Sequence, residues 1–351
     1  MRNNYTLDLD KFQFRGIHPK ISMGTASDRY AGWIGQIYTK ERYQGRTTRR
    51  TNTVGRKSFV EEVLPVDSVE EYFEHFAVLE IDYTFYSPLL GKDGKPTQSY
   101  HVLRRYRQYL KDRDHLILKV PQMITAQKFR RGGKYLENET YLNAEVFTKQ
   151  FYEPAVEVLG PALSGFIFEQ EYQRKQDRTP VRQMAEALDA FFESIPKDNR
   201  YHIELRTESY LSNPVFESLE KHGVGQVLSH WTWLPPLRKQ FAKAKRRIFN
   251  SGRQCVVRLM TPIGMRYEVA YDKAHPFDKL VEGMLHLEMV GETAALMQTG
   301  IEESVQMNIV INNRAGGNAP LIARRVTERF IETYGIVRET TRSGRYRLNS
   351  R

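Results

Sequence analysis

The sequence predicts an α/β fold: a TIM-like (β/α)8 barrel of parallel strands in a single domain with basic insertions. Three observations carry that expectation. Strand-like and helix-like segments alternate eight times along the 351 residues. Such alternation implies parallel strands with helical crossovers, and eight units are the number that closes a barrel. Ionisable and hydrogen-bonding residues recur at the C-terminal ends of the strands, the face where such barrels work. No glycine-rich dinucleotide fingerprint follows the first strand, which disfavours an open doubly wound sheet.

The first strand is expected at 21–26. A helix follows over 67–76, with Ser68 and Glu71 at capping-box spacing. The apolar run before Glu80 predicts a second strand over 77–81, then a helix over 97–110. The third strand is expected at 116–120 and its helix at 144–159. A fourth strand at 165–168 precedes an amphipathic helix over 180–195, opened by Pro180, where a missing N–H costs nothing. The fifth strand is 201–205 with a short helix over 214–222; the sixth is 224–228 with a basic helix over 237–249. The seventh strand is 254–259 with a long helix over 278–298. The eighth is 305–311, and the last helix is 319–334. Residues 1–19 then read as an N-terminal extension, 20–335 as the barrel, 42–57 as a flexible basic insertion in the first loop, and 336–351 as a basic tail.

The formal charge is +11 and the isoelectric point about 9.5, a balance that favours polyanionic partners. Residues 42–57, 238–253 and 338–351 together hold 18 Lys or Arg and one acid, so they carry the whole excess. Arg46, Arg49, Arg50, Lys245, Arg246 and Arg247 are the residues expected to grip nucleic acid through its phosphates, without reading sequence. The single cysteine, Cys255, excludes an internal disulfide and sits in an apolar run as a small core residue. No segment approaches the roughly 20 apolar residues of a membrane span, and the N-terminus has no apolar leader. A cytoplasmic location without membrane partners is expected; the sequence leaves the oligomeric state open.

The segment Glu80-Ile-Asp-Tyr-Thr-Phe-Tyr86 carries the most chemistry. Glu80 and Asp82 end an apolar strand, and a buried carboxylate is costly unless paired or used. Other strand ends add Ser27, Lys119, Glu169, Glu204, Arg206, His230, Arg258, Asn312 and Asn313. In the first loop three glycines alternate with Tyr30 and Trp33, a pattern suited to stacking on a sugar or base. The alternative role for Trp33 is to plug one end of the barrel.

These residues resemble the YecE-like family, the domain of unknown function 72. Its first-strand pattern is matched by Gly24, Thr25, Tyr30, Gly32, Trp33 and Gly35, with Ser27 near its serine position. Its second-strand pattern is matched by Glu80, Ile81, Thr84, Phe85 and Tyr86, with Asp82 in place of Asn. Lys119, Pro121 and Thr125 match on the third strand, Glu204 and Arg206 on the fifth. Val257, Arg258 and Leu259 match on the seventh, and Asn312, Asn313, Asn318 and Ala319 on and after the eighth. The resemblance spans roughly residues 20–335 and implies a TIM-like barrel without implying an activity. Three family histidines are replaced, by Ala126, Thr207 and Met260, and the fourth-strand Gln-Phe-Pro becomes Glu169-Gln170-Glu171.

Three functions compete. In the first, the barrel mouth binds an anionic ligand (phosphorylated, sugar or nucleotide-like) and hydrolyses it. Glu80 or Glu204 is then the general base with Lys119 in the catalytic set, and Arg206 and Arg258 hold the anion. Ser27, Tyr30, Trp33, Asp82, Thr84, Tyr86, Glu169, Asn312 and Asn313 complete the ligand-binding set. The second is a nucleic-acid-binding protein using the basic insertion, helix and tail. The third is a divalent-metal enzyme of endonuclease or sugar-isomerase type, with Glu80, Glu169, Glu204 and His230 as its available ligands. One histidine at a strand end is few for such a site, so no metal ligand is assigned and the cofactor stays open.

Overall fold

The computed structural model describes residues 7–131, 134–337 and 347–348. Its main sheet contains β1 (Ile21–Ala26), β2 (Val78–Ile81), β3 (His115–Lys119), β4 (Leu163–Gln170) and β5 (Tyr201–Leu205). It continues with β6 (Gly225–Gln226, resuming as Leu228–His230), β7 (Gln254–Leu259) and β8 (Gln306–Ile311). All pair in parallel, in the order β6-β5-β4-β3-β2-β1-β8-β7-β6. β6 closes the ring: Gly225 and Gln226 pair with β5, and Leu228 to His230 pair with β7. The chain is therefore a TIM-like α/β barrel, as its alternating segments predict.

Among the described residues eight crossover helices surround the sheet: α1 (Val69–His75), α2 (Gln98–Tyr109), α3 (144–159, with a π turn at Thr148–Tyr152), α4 (Val181–Ser194), α5 (Asn213–His222), α6 (Leu237–Lys243), α7 (Leu287–Glu302) and α8 (Ala319–Tyr334). They form for local reasons that the sequence displays. α4 buries Met184, Leu188, Phe191 and Phe192, the three-to-four spacing of one helical face. α2 and α8 start at Thr97 and Asn318, whose side chains accept from Tyr100 N–H and Leu321 N–H.

Strand alternation builds the interior in layers. Val78, Ile117, Ile167, Val227, Val256 and Val310 form an apolar layer inside the ring, separate from the core between sheet and helices. Two residues further along each strand stand Glu80, Lys119, Glu169, Ser229, Arg258 and Asn312, a polar layer nearer the C-terminal face. The interior also needs Gly24: a Cβ there would lie 1.9 Å from the Val78 carbonyl oxygen.

Several expectations are corrected. The insertion at 42–57 is not a flexible loop. Thr48–Val54 pairs antiparallel with Lys57–Val63, turning at Gly55 with φ +65°. Cross-strand ion pairs fasten this hairpin, Arg50 to Glu61 at 2.6 Å and Arg49 to Glu62 at 3.2 Å. Ser68 and Glu71 form no capping box. A 3-10 turn at Val66–Ser68 precedes α1, Ser68 Oγ donates to Pro65 O, and Glu71 accepts from Thr39 instead. The basic helix stops at Lys243, because Lys245 and Arg246 take left-handed φ of 54° and 57°. The long helix expected from 278 begins at Leu287, and a separate helix, Tyr267–Ala274, precedes it. Among the described residues no helix is long and apolar enough to cross a membrane. Of the C-terminal tail, Arg347–Leu348 pairs with Ile336–Val337, while Arg338, Arg342, Arg345 and Arg351 lie outside the described residues.

Candidate functional site

The polar layer gathers three carboxylates and three cations from five strands. Arg258 on β7 has no exposed surface and is the hub. Its Nε and Nη2 donate to the two oxygens of Glu80 at 2.7 and 2.6 Å, a bidentate fork. Its Nη1 donates to Glu204 Oε2 and lies 3.3 Å from Glu169 Oε2. Lys119 Nζ is 2.6 Å from Glu169 Oε2, and Arg206 Nη1 is 2.8 Å from Glu169 Oε1. Arg206 Nη2 lies 3.4 Å from Glu204 Oε2. Aromatic rings support the two outer cations: Lys119 Nζ is 3.9 Å from the Phe85 ring centre and the Arg206 guanidinium 4.8 Å from that of Trp231.

The charges of the six balance. Burial opposes ionisation of Glu169, but Arg206, Lys119 and Arg258 outweigh it and hold the carboxyl below the usual range. At Glu80 burial wins over Arg258 and Lys119 and raises the carboxyl. Arg258 is held above its usual value because Glu204, Glu80 and Glu169 together outweigh its desolvation. Hydrogen-bonding capacity is spent unevenly. Glu80 and Glu169 use both oxygens, whereas Glu204 Oε1 and Arg206 Nε are buried without a partner.

The other residues singled out in the sequence divide into rim and scaffold. Tyr86 is exposed at the rim, within electrostatic reach of Asp82, Tyr267, Glu169 and Arg314. Trp33 is wholly buried; its Nε1–H donates to Asn313 Oδ1 at 3.1 Å, so it packs in the core and offers no stacking face. Tyr30 packs between Trp33 and Phe277. Thr84 Oγ1 donates to Lys119 O, Asn312 Oδ1 accepts from Arg314 N–H, and Asn313 Oδ1 also accepts from Ala319 N–H. Those three hold the loops in place. Ser27 adopts a left-handed φ of 67° and donates its N–H to Glu80 O, fixing the end of β1 against β2.

A small cavity of about 110 Å³ beside Glu80 is lined by Ser27, Tyr30, Asp82 and Arg50 of the hairpin. It also exposes Asp28, which sequence reasoning missed. Burial raises the Asp28 carboxyl to about 6, although Tyr106 OH donates to its Oδ1 at 2.8 Å. Asp28 Oδ2 has no partner. At the end of β6, burial and then His286 lower His230 to about 4, and its Nδ1 bonds Thr261 O at 2.9 Å. Among the described residues no group of three or more His, Cys, Asp or Glu is arranged to hold a metal ion. The three glutamates are bridged by Arg258, Lys119 and Arg206 instead.

The residues expected to meet nucleic acid are mostly paired. Arg46 meets Asp67 at 2.8 Å, Arg49 and Arg50 meet Glu62 and Glu61, and Arg247 meets Glu220 at 2.5 Å. Lys245 and Arg246, in the turn after α6, carry no ion pair among the described residues. Cys255 is buried, and its thiol is pushed up to about 12 by burial.

A second feature of this face had no periodic signal in the sequence. The loops after β3, β4, β6 and β7 enclose a cleft of about 770 Å³. Tyr172, Trp231, Trp233 and Tyr267 stand in its walls, and Trp231 is the ring on which Arg206 rests. The cleft and the charged layer are thus adjacent.

A closed parallel barrel with a polar layer and a cleft at its C-terminal face defines a TIM-type α/β barrel protein. The chain belongs to the DUF72 family: the family's model, a protein of unknown function, matches residues 22–344. This is the YecE-like family that the strand motifs resemble. A DUF72 protein from Thermotoga maritima shares 15% identity at a TM-score of 0.51, over 89% of this chain and 99% of that one. A DUF72 protein from Enterococcus faecalis shares 12% identity at 0.49, over 90% and 96%. A GH30 endoxylanase from Clostridium papyrosolvens reaches 0.41 at 10% identity, over 81% and 70%, a likeness too slight to carry an argument. No curated protein matches the sequence.

Proposed function

We infer that the C-terminal face of the barrel binds a sugar-type ligand, whose hydroxyls meet Glu204 and Arg206. The observation that carries this reading is two unspent atoms of the charged layer: an acceptor, Glu204 Oε1, and a donor, Arg206 Nε, both buried and, among the described residues, unpartnered. Unmet buried polar groups cost about 1–3 kcal/mol each. A hydroxyl both donates and accepts, so a polyhydroxylated ring can satisfy the two together. Because the six charged groups balance, the layer offers little surplus attraction to a bare anion. This favours the sugar among the ligands expected from sequence, with a phosphate or carboxylate substituent as an addition. In turnover Glu204 would be the general base, since it alone of the three glutamates keeps a free oxygen.

A panel of monosaccharides and sugar phosphates, observed by ligand NMR, tests the reading. At least one should bind, and Glu204→Gln and Arg206→Met should each weaken it at least tenfold while the fold persists by circular dichroism. Binding that survives both substitutions sinks the assignment. Nucleic acid competes less well, because most of its expected contacts already hold acids. Affinity for single-stranded DNA that falls steeply with salt, together with no sugar binding, would reverse that preference.

A further inference from the structure

The aromatic cleft extends past the charged layer, over a region too large for one sugar ring. Tyr172 and Trp233 stack at 5.8 Å and 30°, and both are more than 40% exposed. Trp231 lies 6.1 Å from Tyr172 and continues the surface inward to Arg206. Across the cleft Tyr267 is 39% exposed, and the Arg314 guanidinium sits 4.5 Å from its ring centre. Exposed aromatic rings grouped in a concave site are a recognition surface, because their faces gain by meeting flat apolar ligand faces.

The charge in the cleft selects among ligands with such faces. Glu171, Asp177 and Glu268 line it on one account, Lys128, Arg174, Lys175 and Arg266 on the other, leaving it close to neutral. Carboxylates repel a phosphodiester backbone and accept hydrogen bonds from hydroxyls. A single-stranded nucleic acid wants stacking rings in a strongly positive groove, and this groove is not one.

We propose that the cleft formed by Tyr172, Trp231, Trp233 and Tyr267 binds a neutral oligosaccharide, whose rings run from the Glu204–Arg206 floor outward along the aromatic wall. This rests on the sugar reading of the floor and adds the ligand's length and neutrality.

The test uses the protein's own fluorophores. Trp231 and Trp233 are in the cleft, and Trp33, the third tryptophan of the chain, is buried in the core. Cellohexaose, maltohexaose and chitohexaose are titrated while tryptophan emission is followed, with the matching monosaccharides in parallel and a twelve-residue oligothymidylate as the polyanion. One hexasaccharide should shift the emission saturably and bind at least tenfold more tightly than its monosaccharide. Trp233→Ala and Tyr172→Ala should each remove most of that difference and leave monosaccharide affinity unchanged. The proposal is overturned if no hexasaccharide binds, if length brings no gain, or if the gain survives both substitutions. It is likewise overturned if the oligothymidylate alone shifts the emission. A hexasaccharide that binds no tighter than its monosaccharide, with monosaccharide binding still lost in Arg206→Met, would refute the extension and leave the floor reading standing. Absence of monosaccharide and hexasaccharide binding alike in the unsubstituted protein would refute both.

Discussion

Arg258 shows how much one side chain can be asked to do inside a barrel. It meets three carboxylates and has no water to fall back on. Breaking such a network from one side leaves charges buried and uncompensated. Arg258→Met should therefore cost about 3–5 kcal/mol in urea unfolding; a loss below about 1 kcal/mol would show that the glutamates find other partners. Asp28 makes a prediction with the opposite sign. Its carboxyl is raised to about 6 from 3.8, so the native state holds that proton more tightly than the unfolded chain. The associated stability is present below pH 3.8 and lost as pH rises through 6. Asp28→Asn should gain up to about 3 kcal/mol at pH 8 and almost nothing at pH 3.5, read from unfolding curves at both. Equal effects at the two pH values would refute it. The charged layer was legible in the sequence because residues two apart on a strand face the same way and ends of apolar strands stand out. Trp33 was legible as scaffold only as the alternative to a stacking face, and Asn313 was not, because the hydrogen bond that joins them links residues 280 apart in sequence. Tyr172 lies in a loop and Tyr267 opens the short helix Tyr267–Ala274, and neither falls in a periodic run. For Tyr172 the only cue was its place directly after the acidic end of β4.

Among the elements, the hairpin at 48–63 departs furthest from its sequence signal. Its first strand reads as a basic loop because the acids that neutralise it, Glu61 and Glu62, lie just beyond the basic run. Glu61 also accepts from Asn52 at 3.2 Å and from Tyr271 on the helix Tyr267–Ala274, which follows β7. Lys57 pairs with Asp272 at 2.6 Å on that helix. These bonds strap the hairpin across the mouth beside the Asp28 cavity. Glu61→Ala should loosen the strap by about 1–3 kcal/mol. The readout is limited trypsin digestion: cleavage at Arg56 or Lys57 should accelerate several-fold with the barrel left intact, and unchanged cleavage would argue against the strap. The strands were easier to place than the helix starts. Buried apolar runs announce themselves, while α1 and α7 begin where turns and neighbouring elements allow.

At the scale of the molecule, the excess of positive charge lies in three segments, and in the first of them Arg42, Arg46, Arg49, Arg50 and Lys57 each hold an acid. Exposed pairs of that kind add little stability; they lower the local positive potential at those bases and leave the net excess of 53 Lys and Arg over 42 Asp and Glu as it is. The barrel itself was legible throughout, since eight alternating units leave few topologies. The aromatic cleft was not, because its walls come from segments brought together only by closure. Closure also has a temporal side. Arg258 is separated from its three partners by 178, 89 and 54 residues of chain. Contacts of such range must wait for most of the loop-closure entropy to be overcome. The guanidinium is therefore predicted to seat after the rate-limiting step of folding, and its absence to act on escape from the native state. In stopped-flow measurements Arg258→Met should multiply the unfolding rate and leave the refolding rate nearly untouched. A network that balances charge in space thus serves in time as the catch that slows the finished barrel from reopening.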